Sequence, residues 1–283
     1  MNKLIVLVGL PLSGKSEVAN QLKEKGYVVF EDNNSEFEPN KNFFDKEVIA
    51  NMQQAIKDGK NVVYDSRNVT HKKRRYIINQ FKDIPCKKTC IVTAIPYEEC
   101  KRRNEKEKKL SEKELEKYYA NWDTPYFYEG WDKINISLGK YKGCYGCPEN
   151  FIKHTKDFDQ NRKNHQYTLG EHCKKTCESL NTTNKTLKIA ALLHDNGKLK
   201  SKHKTENNTT RYPNHNNIGA YNSLFYEMND PLRCSILVNL HMTPYSWEYD
   251  ENGERIRIKY KKMWGKQLYS AVMKLHEADV ASH

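Results

Sequence analysis

The sequence predicts an α/β domain, built as a parallel sheet with helices on both faces, followed by an all-α domain. Three observations predict this. Apolar, β-branched runs alternate with helical segments as far as residue 120, a glycine- and aromatic-rich stretch over 122–159 breaks the pattern, and helical periodicity resumes from 168. At 283 residues the chain is long enough for two such domains, each burying its own core.

Residues 4–8 form an uninterrupted apolar run, as a strand buried on both faces requires. The run breaks at Gly9, and a polar helix over 15–25 follows, stopped by Gly26. Residues 27–30 read as a second strand, 43–58 as a helix closed by Gly59, and 61–64 as a third strand ending at Asp65. Thr70 caps the next helix, 90–94 form the fourth strand, a charged helix runs over 96–108, and another covers 111–120. Beyond the irregular stretch, helices are expected at 168–180, 185–194, 215–227, 232–240 and 265–281. A hairpin is expected at 247–259, turned at Asn252-Gly253. The expected organisation is a first domain over 1–140, a linker over 141–160 and a second domain over 161–283.

Lys and Arg number 48 against 36 Asp and Glu, a net +12 that favours polyanionic partners, RNA or DNA foremost. A lysine-rich surface that only maintains solubility is the plainer reading. The apolar run over 4–10 is too short to cross a bilayer, and the glycine loop after it is no cleavage site. A cytoplasmic protein without a membrane role is therefore expected. The eight cysteines then read as free thiols, and Cys144 and Cys147, the one pair with metal-knuckle spacing, lack a second pair to complete a site.

Gly9-x4-Gly14-Lys15-Ser16, placed between a buried strand and a helix, has the residues and the setting of a P-loop. Gly9, Ser13 and Gly14 let backbone N–H groups surround phosphates, Lys15 neutralises their charge, and Ser16 offers a hydroxyl to Mg²⁺, so ATP and Mg²⁺ are the expected ligands. The absence of a GTPase base-reading motif favours a small kinase. Asp32, just past the second strand, stands where a base for an acceptor hydroxyl belongs, with Glu31 as its rival. Asp65 reads as a strand-end residue that touches the Mg²⁺ shell through water.

In the second half, His172, the pair His194-Asp195, Lys198, His215, His241 and Asp279 stand out among ten histidines and the nearby acids. Imidazole with carboxylate, and no evident thiolate, suits Mn²⁺, Fe²⁺, Co²⁺, Ni²⁺ or Mg²⁺ as well as zinc.

On the P-loop, Asp32, the string Asp65-Ser66-Arg67-Asn68 and the segment Lys101-Arg102-Arg103-Asn104, residues 1–125 resemble the kinase domain of polynucleotide kinases. That resemblance implies that Asp32 activates a 5′-hydroxyl and that Arg103 closes over the donor phosphates, although Glu107 stands where the family shows a second lid arginine. On the ordered set H…HD…D, residues 164–283 resemble the HD-domain phosphohydrolases. There the resemblance implies one metal on His172, His194, Asp195 and Asp279 and a second served by His215 and His241. It also implies that Asp195 acts on the nucleophile and that Lys198 steadies the departing phosphate.

Joined, the two resemblances imply a nucleic-acid end-healing enzyme, an ATP-dependent 5′-hydroxyl kinase with a 2′,3′-cyclic or 3′-phosphate phosphohydrolase. A nucleotide-metabolism enzyme, pairing a small-molecule kinase with an HD nucleotidase, stays open beside it, as does a sensor that binds without turnover.

Overall fold

Leu4, Val6, Leu7 and Val8 are wholly buried, so β1 (Lys3–Val8) is covered on both faces, and it lies at the centre of a five-stranded parallel sheet. The computed structural model describes residues 1–32, 46–160, 166–206, 209–248 and 250–283. The chain divides into two units, Met1–Gly139 and Lys140–His283.

In the first unit, β1 is followed by α1 (Lys15–Glu24), β2 (Val28–Asp32), α2 (Lys46–Lys57), β3 (Val62–Ser66), α3 (His71–Gln80), β4 (Lys87–Thr93), α4 (Tyr97–Glu107), α5 (Glu112–Ala120) and β5 (Lys133–Ser137). The strand order is β2-β3-β1-β4-β5, with every neighbouring pair parallel. On one face Ile5, Leu7 and Val63 pack on Val18, Ala19 and Leu22 of α1. Because the strands are parallel, Gly9, Asp32, Ser66 and Thr93 all lie at one edge, the carboxyl edge where ligands bind in open α/β sheets. The expected start of the second helix, 43–45, lies outside the described residues.

Two expectations are corrected. The stretch over 122–159, expected to be irregular, supplies β5, whose half-buried Ile134 and Ile136 alternate with polar residues as an edge strand allows. The hairpin expected over 247–259 is helical instead: α12 (Tyr245–Glu248) precedes α13 (Gly253–Val280), which kinks at Gly265. Alternation over 255–259 suggested strand, but the rings of Tyr260 and Trp264, four apart, lie 4.8 Å from each other in a tilted contact, and Tyr260 also lies 4.9 Å from Trp247. That helical-period aromatic cluster outweighs the local β pattern.

The rest of the second unit comprises α6 (Glu149–Thr155), α7 (Leu169–Ser179), α8 (Lys185–Leu193), α9 (Lys198–Ser201), the two-residue antiparallel strands β6 (His203–Lys204) and β7 (Thr210–Arg211), α10 (His215–Ser223) and α11 (Pro231–Leu240). Residues 141–160, expected as a linker, group with this unit and carry α6.

The first unit also buries an ion pair. Arg74 of α3 donates to both carboxylate oxygens of Glu129 at 2.9 and 2.7 Å and to the carbonyls of Asn68 and Val69 at 3.1 and 2.8 Å. Glu129 also meets His71 Nδ1 at 3.0 Å and accepts from Trp131 Nε1 at 2.8 Å.

Candidate functional site

At the carboxyl edge of β1, the loop from Gly9 to Ser16 wraps back so that Ser13 Oγ lies 3.0 Å from Thr93 Oγ1 of β4. Only glycine fits at position 9, because a Cβ there would sit 2.3 Å from the Thr93 carbonyl oxygen. Gly14 caps α1, leaving that helix's first N–H groups facing the loop. Lys15 Nζ donates to the carbonyls of Gly9 and Leu10 at 3.0 and 2.9 Å. Burial draws its pKa down to about 8 against the pull of Asp65, so the ammonium gains by meeting phosphate charge. Ser16 Oγ donates to Asp65 Oδ2 at 3.0 Å, which places a hydroxyl and a carboxylate together as a hard-cation ligand pair.

Asp32 is buried at the end of β2, accepting from Tyr64 Oη at 2.6 Å and lying 3.7 Å from Lys73 Nζ. Arg103 of α4 donates to the carbonyl of Leu12 in the loop at 3.1 Å, and Glu99 holds it from behind at 3.1 Å. Lys15, Asp32 and Arg103, far apart in sequence, thus all belong to the carboxyl edge and its loop. Glu107 ends α4 and pairs with Lys109 at 2.6 Å. Sequence reasoning missed Tyr64, Lys73 and Thr93. The strands that carry Tyr64 and Thr93 and the capped helix start that carries Lys73 were visible, but the partners of these side chains were not.

In the second unit the helix ends do the positioning. Thr168 and Glu171 form a capping box that starts α7, so Glu171 is a cap and His172, the next residue, turns inward. Helix α8 stops at Leu193, which leaves His194 and Asp195 in the turn before α9. Gly197 lets that turn press on α10: a Cβ on it would lie 2.0 Å from the His215 carbonyl oxygen. His241 ends α11, and Asp279 lies in the last turn of α13.

These residues converge. His172 Nε2 and His194 Nε2 are 3.1 Å apart, and Asp279 Oδ1 lies 3.1 and 3.3 Å from them. Asp195 turns Oδ2 to the same two nitrogens, 3.4 Å from each, and Oδ1 to His215 Nε2 at 3.2 Å and His241 Nε2 at 3.8 Å. Two donor sets result, His172/His194/Asp279 and Asp195/His215/His241, with the ligand atoms of each within 4.8 Å of one another. Every histidine directs its other nitrogen at a carbonyl: His172 Nδ1 to Ser282, His194 to Ala191, His215 to Tyr212 and His241 to Val238, at 3.2, 2.8, 2.9 and 2.7 Å. Such anchors fix the ring and the tautomer that leaves Nε2 as a ligand.

The donor set fits divalent cations. The Nε2 atoms of His215 and His241 are buried with no hydrogen-bond partner among the described residues, a costly state for a polar atom unless a cation takes the lone pair. Burial, reinforced by His194 and His215, holds His241 down at about 3 and therefore neutral, as a ligand must be. Burial opposes charge on His172 as well, but Asp195 and Asp279 outweigh it and raise its pKa to about 9, so proton and cation compete for that nitrogen. Asp195 and Asp279 stay ionised against burial, Asp195 through Lys198 and His194, and Asp279 through His194 and His172.

Lys198 Nζ lies 2.6 Å from Asp195 Oδ2 and donates to buried Gln160 Oε1 at 2.7 Å. Gln160 was not legible as a site residue, nor was Tyr245, whose hydroxyl donates to Asp279 Oδ2 at 2.9 Å and so turns Oδ1 toward the histidines. Tyr245→Phe is expected to weaken metal binding about 10–100-fold with the fold intact, read by chelator competition against the wild type. An unchanged affinity would show that Asp279 orients itself. Among the described residues, Cys144 and Cys147 join no metal-ligating group, and all eight cysteines are free. Also among the described residues, no helix is long and apolar enough to cross a membrane.

Residues 2–214 match the family described as chromatin associated protein KTI12, and residues 162–282 match the HD domain. The KTI12 match takes in the P-loop and the whole parallel sheet, and it runs on into the second unit, where it overlaps the HD match. Among solved structures, Kti12 of Chaetomium thermophilum in complex with ADP-AlF3 aligns at 17% identity and a TM-score of 0.39, covering 50% of this chain and 92% of that one. The protein APE1195 aligns at 19% identity and a TM-score of 0.32, covering 47% and 84%. Comparison with curated proteins gives no match.

Proposed function

We propose, from the premise that this chain belongs to the KTI12 family and carries an HD domain, that it is a two-site enzyme acting on nucleic-acid ends. In this reading the first unit transfers the γ-phosphate of ATP to a 5′-hydroxyl, and the second removes a 2′,3′-cyclic or 3′-phosphate. The observation that carries it is the division of Asp195 between two donor sets, an arrangement suited to gripping a phosphate ester from two sides. The net charge of +12 favours a polyanionic substrate.

In the first unit, Lys15 would exchange the carbonyls of Gly9 and Leu10 for phosphate oxygens, Ser16 and Asp65 would hold Mg²⁺, and Arg103 would cover the donor phosphates from α4. Asp32, fixed by Tyr64, orients the acceptor hydroxyl in line with the phosphorus. In the second unit, His172, His194, Asp279 and Asp195 would hold one cation, and Asp195, His215 and His241 another. The chemistry that bound divalent cations supply is charge on the phosphoryl oxygens and acidification of a water. Asp195 aligns the nucleophile, and Lys198, kept in place by Gln160, balances charge on the departing group.

The test is an assay of the full chain with labelled ATP, Mg²⁺ and Mn²⁺ on an oligonucleotide bearing a 5′-hydroxyl and a 3′-phosphate. Label is expected at the 5′ end, and inorganic phosphate is expected from the 3′ end. Lys15→Ala should lower labelling about 10²–10³-fold and leave phosphate release unchanged. If mononucleotides react and oligonucleotides do not, the reading fails.

A further inference from the structure

Helix α7 carries more than a metal ligand. His172, Lys175 and Ser179 recur at intervals of three and four, so they share one face of the helix, displaced from one another by about one turn each. Beyond His172 this face borders a cavity of about 340 Å³ lined by Tyr167, Lys175, Glu178, Ser179, Ser282 and His283. The size is at the small end of ligand-binding cavities. The cavity adjoins the metal centre: the His283 ring that walls it lies 5.0 Å from the His172 ring, and its Nε2 is 3.6 Å from Asp279 Oδ1.

The lining carries one basic and one acidic side chain, Lys175 and Glu178, and they have different partners. Glu178 is 3.7 Å from Lys174, whereas Lys175 forms no ion pair among the described residues and instead holds its ammonium 4.5 Å over the Tyr167 ring. A cation spread over an aromatic face, one helical turn from a metal ligand, can meet a second anion on a substrate whose first phosphate lies at the metal donors.

We propose that this cavity is a subsite for the second phosphate of a substrate that carries two, with Lys175 as the residue that selects it. The substrate class is a nucleotide with the reacting phosphate on one side of its sugar and another phosphate on the other side. A free nucleoside 3′,5′-bisphosphate has this chemistry, and so does the last nucleotide of a 3′-phosphorylated strand. The inference rests on the phosphohydrolase reading of the histidine centre. Lys175 takes no part in bond cleavage, and its effect is on binding.

The experiment compares adenosine 3′-monophosphate, adenosine 3′,5′-bisphosphate and a 3′-phosphorylated dinucleotide with the Mn²⁺-loaded full chain, in turnover and in equilibrium binding. The bisphosphate is expected to have a KM about tenfold below the monophosphate, the gain of one charge-assisted contact. Lys175→Gln should erase that difference while leaving kcat and the monophosphate KM within about twofold. Lys175→Arg, which keeps the charge, should restore most of it. Matching dependence for the dinucleotide identifies a strand end as the source, and dependence for the bisphosphate alone identifies a free nucleotide. Equal affinity of wild type for the mono- and bisphosphate overturns the subsite, as does an equal effect of Lys175→Gln on all three ligands. If no ligand is hydrolysed but Lys175-dependent selectivity persists in binding, the subsite stands and the hydrolytic reading falls.

Discussion

Asp195→Ala is expected to lower phosphate release from a 3′-phosphorylated oligonucleotide by about 10²–10⁴-fold, and to reduce the bound metal per chain, while ATP-dependent 5′-labelling continues. The size follows from position, since Asp195 presents an oxygen to each donor set, Oδ2 to His172 and His194 and Oδ1 to His215 and His241. Its loss removes a ligand from both sets and leaves Lys198, otherwise 2.6 Å away, as a buried cation facing the histidines. The double substitution His215→Ala/His241→Ala separates these effects, because it strips one set and spares the other. Metal analysis should then give about one ion per chain against about two in the wild type. Equal metal content in wild type and Asp195→Ala would sink the two-set reading.

The largest effect on stability is expected at Glu129. Glu129→Gln leaves the Arg74 guanidinium fully buried without its counter-charge, a change that typically costs about 3–5 kcal/mol. In a unit of this size that is on the order of 10 °C in melting temperature. Replacing both partners by apolar residues should not restore stability, because Arg74 also satisfies the carbonyls of Asn68 and Val69, and Glu129 also receives Trp131. Burial raises the Glu129 pKa, but Arg74 outweighs it and the net shift is downward. The pair's contribution is thus present above the unfolded glutamate value of about 4.3 and disappears as the pH falls through the lower folded value. Urea titration at pH 7 and at a pH below about 4 measures both statements. A cost below about 1 kcal/mol would mean that water reaches the guanidinium and replaces the carboxylate.

What was legible in the sequence was local. The P-loop, four of the five strands and the capped helices each follow from a run, a cap or a glycine within a few residues. The histidines and acids could be singled out because residue type and order survive without coordinates. Partners separated along the chain could not be read: Ser16 with Asp65, Arg74 with Glu129, Lys198 with Gln160 and Tyr245 with Asp279 lie 34 to 55 residues apart. The segment over 247–259 misled because its alternation and its helical aromatic spacing coexist, and only the presence of Trp247 beside Tyr260 decides between them. β5 was hidden because an edge strand needs few apolar residues.

The carbonyl anchors of the histidines differ in reach. His194, His215 and His241 each bond a carbonyl three residues back, so each carries its own aim within a single turn of chain. His172 instead borrows Ser282, and the carboxylate of its set, Asp279, sits in the same closing turn of α13 and borrows Tyr245. The donor set on His215 and His241 is therefore locally self-supporting, whereas the one on His172 persists only while that closing turn stays wound. Fraying there would empty one half of the centre before the other, and gentle warming would dismantle the pair in a fixed order.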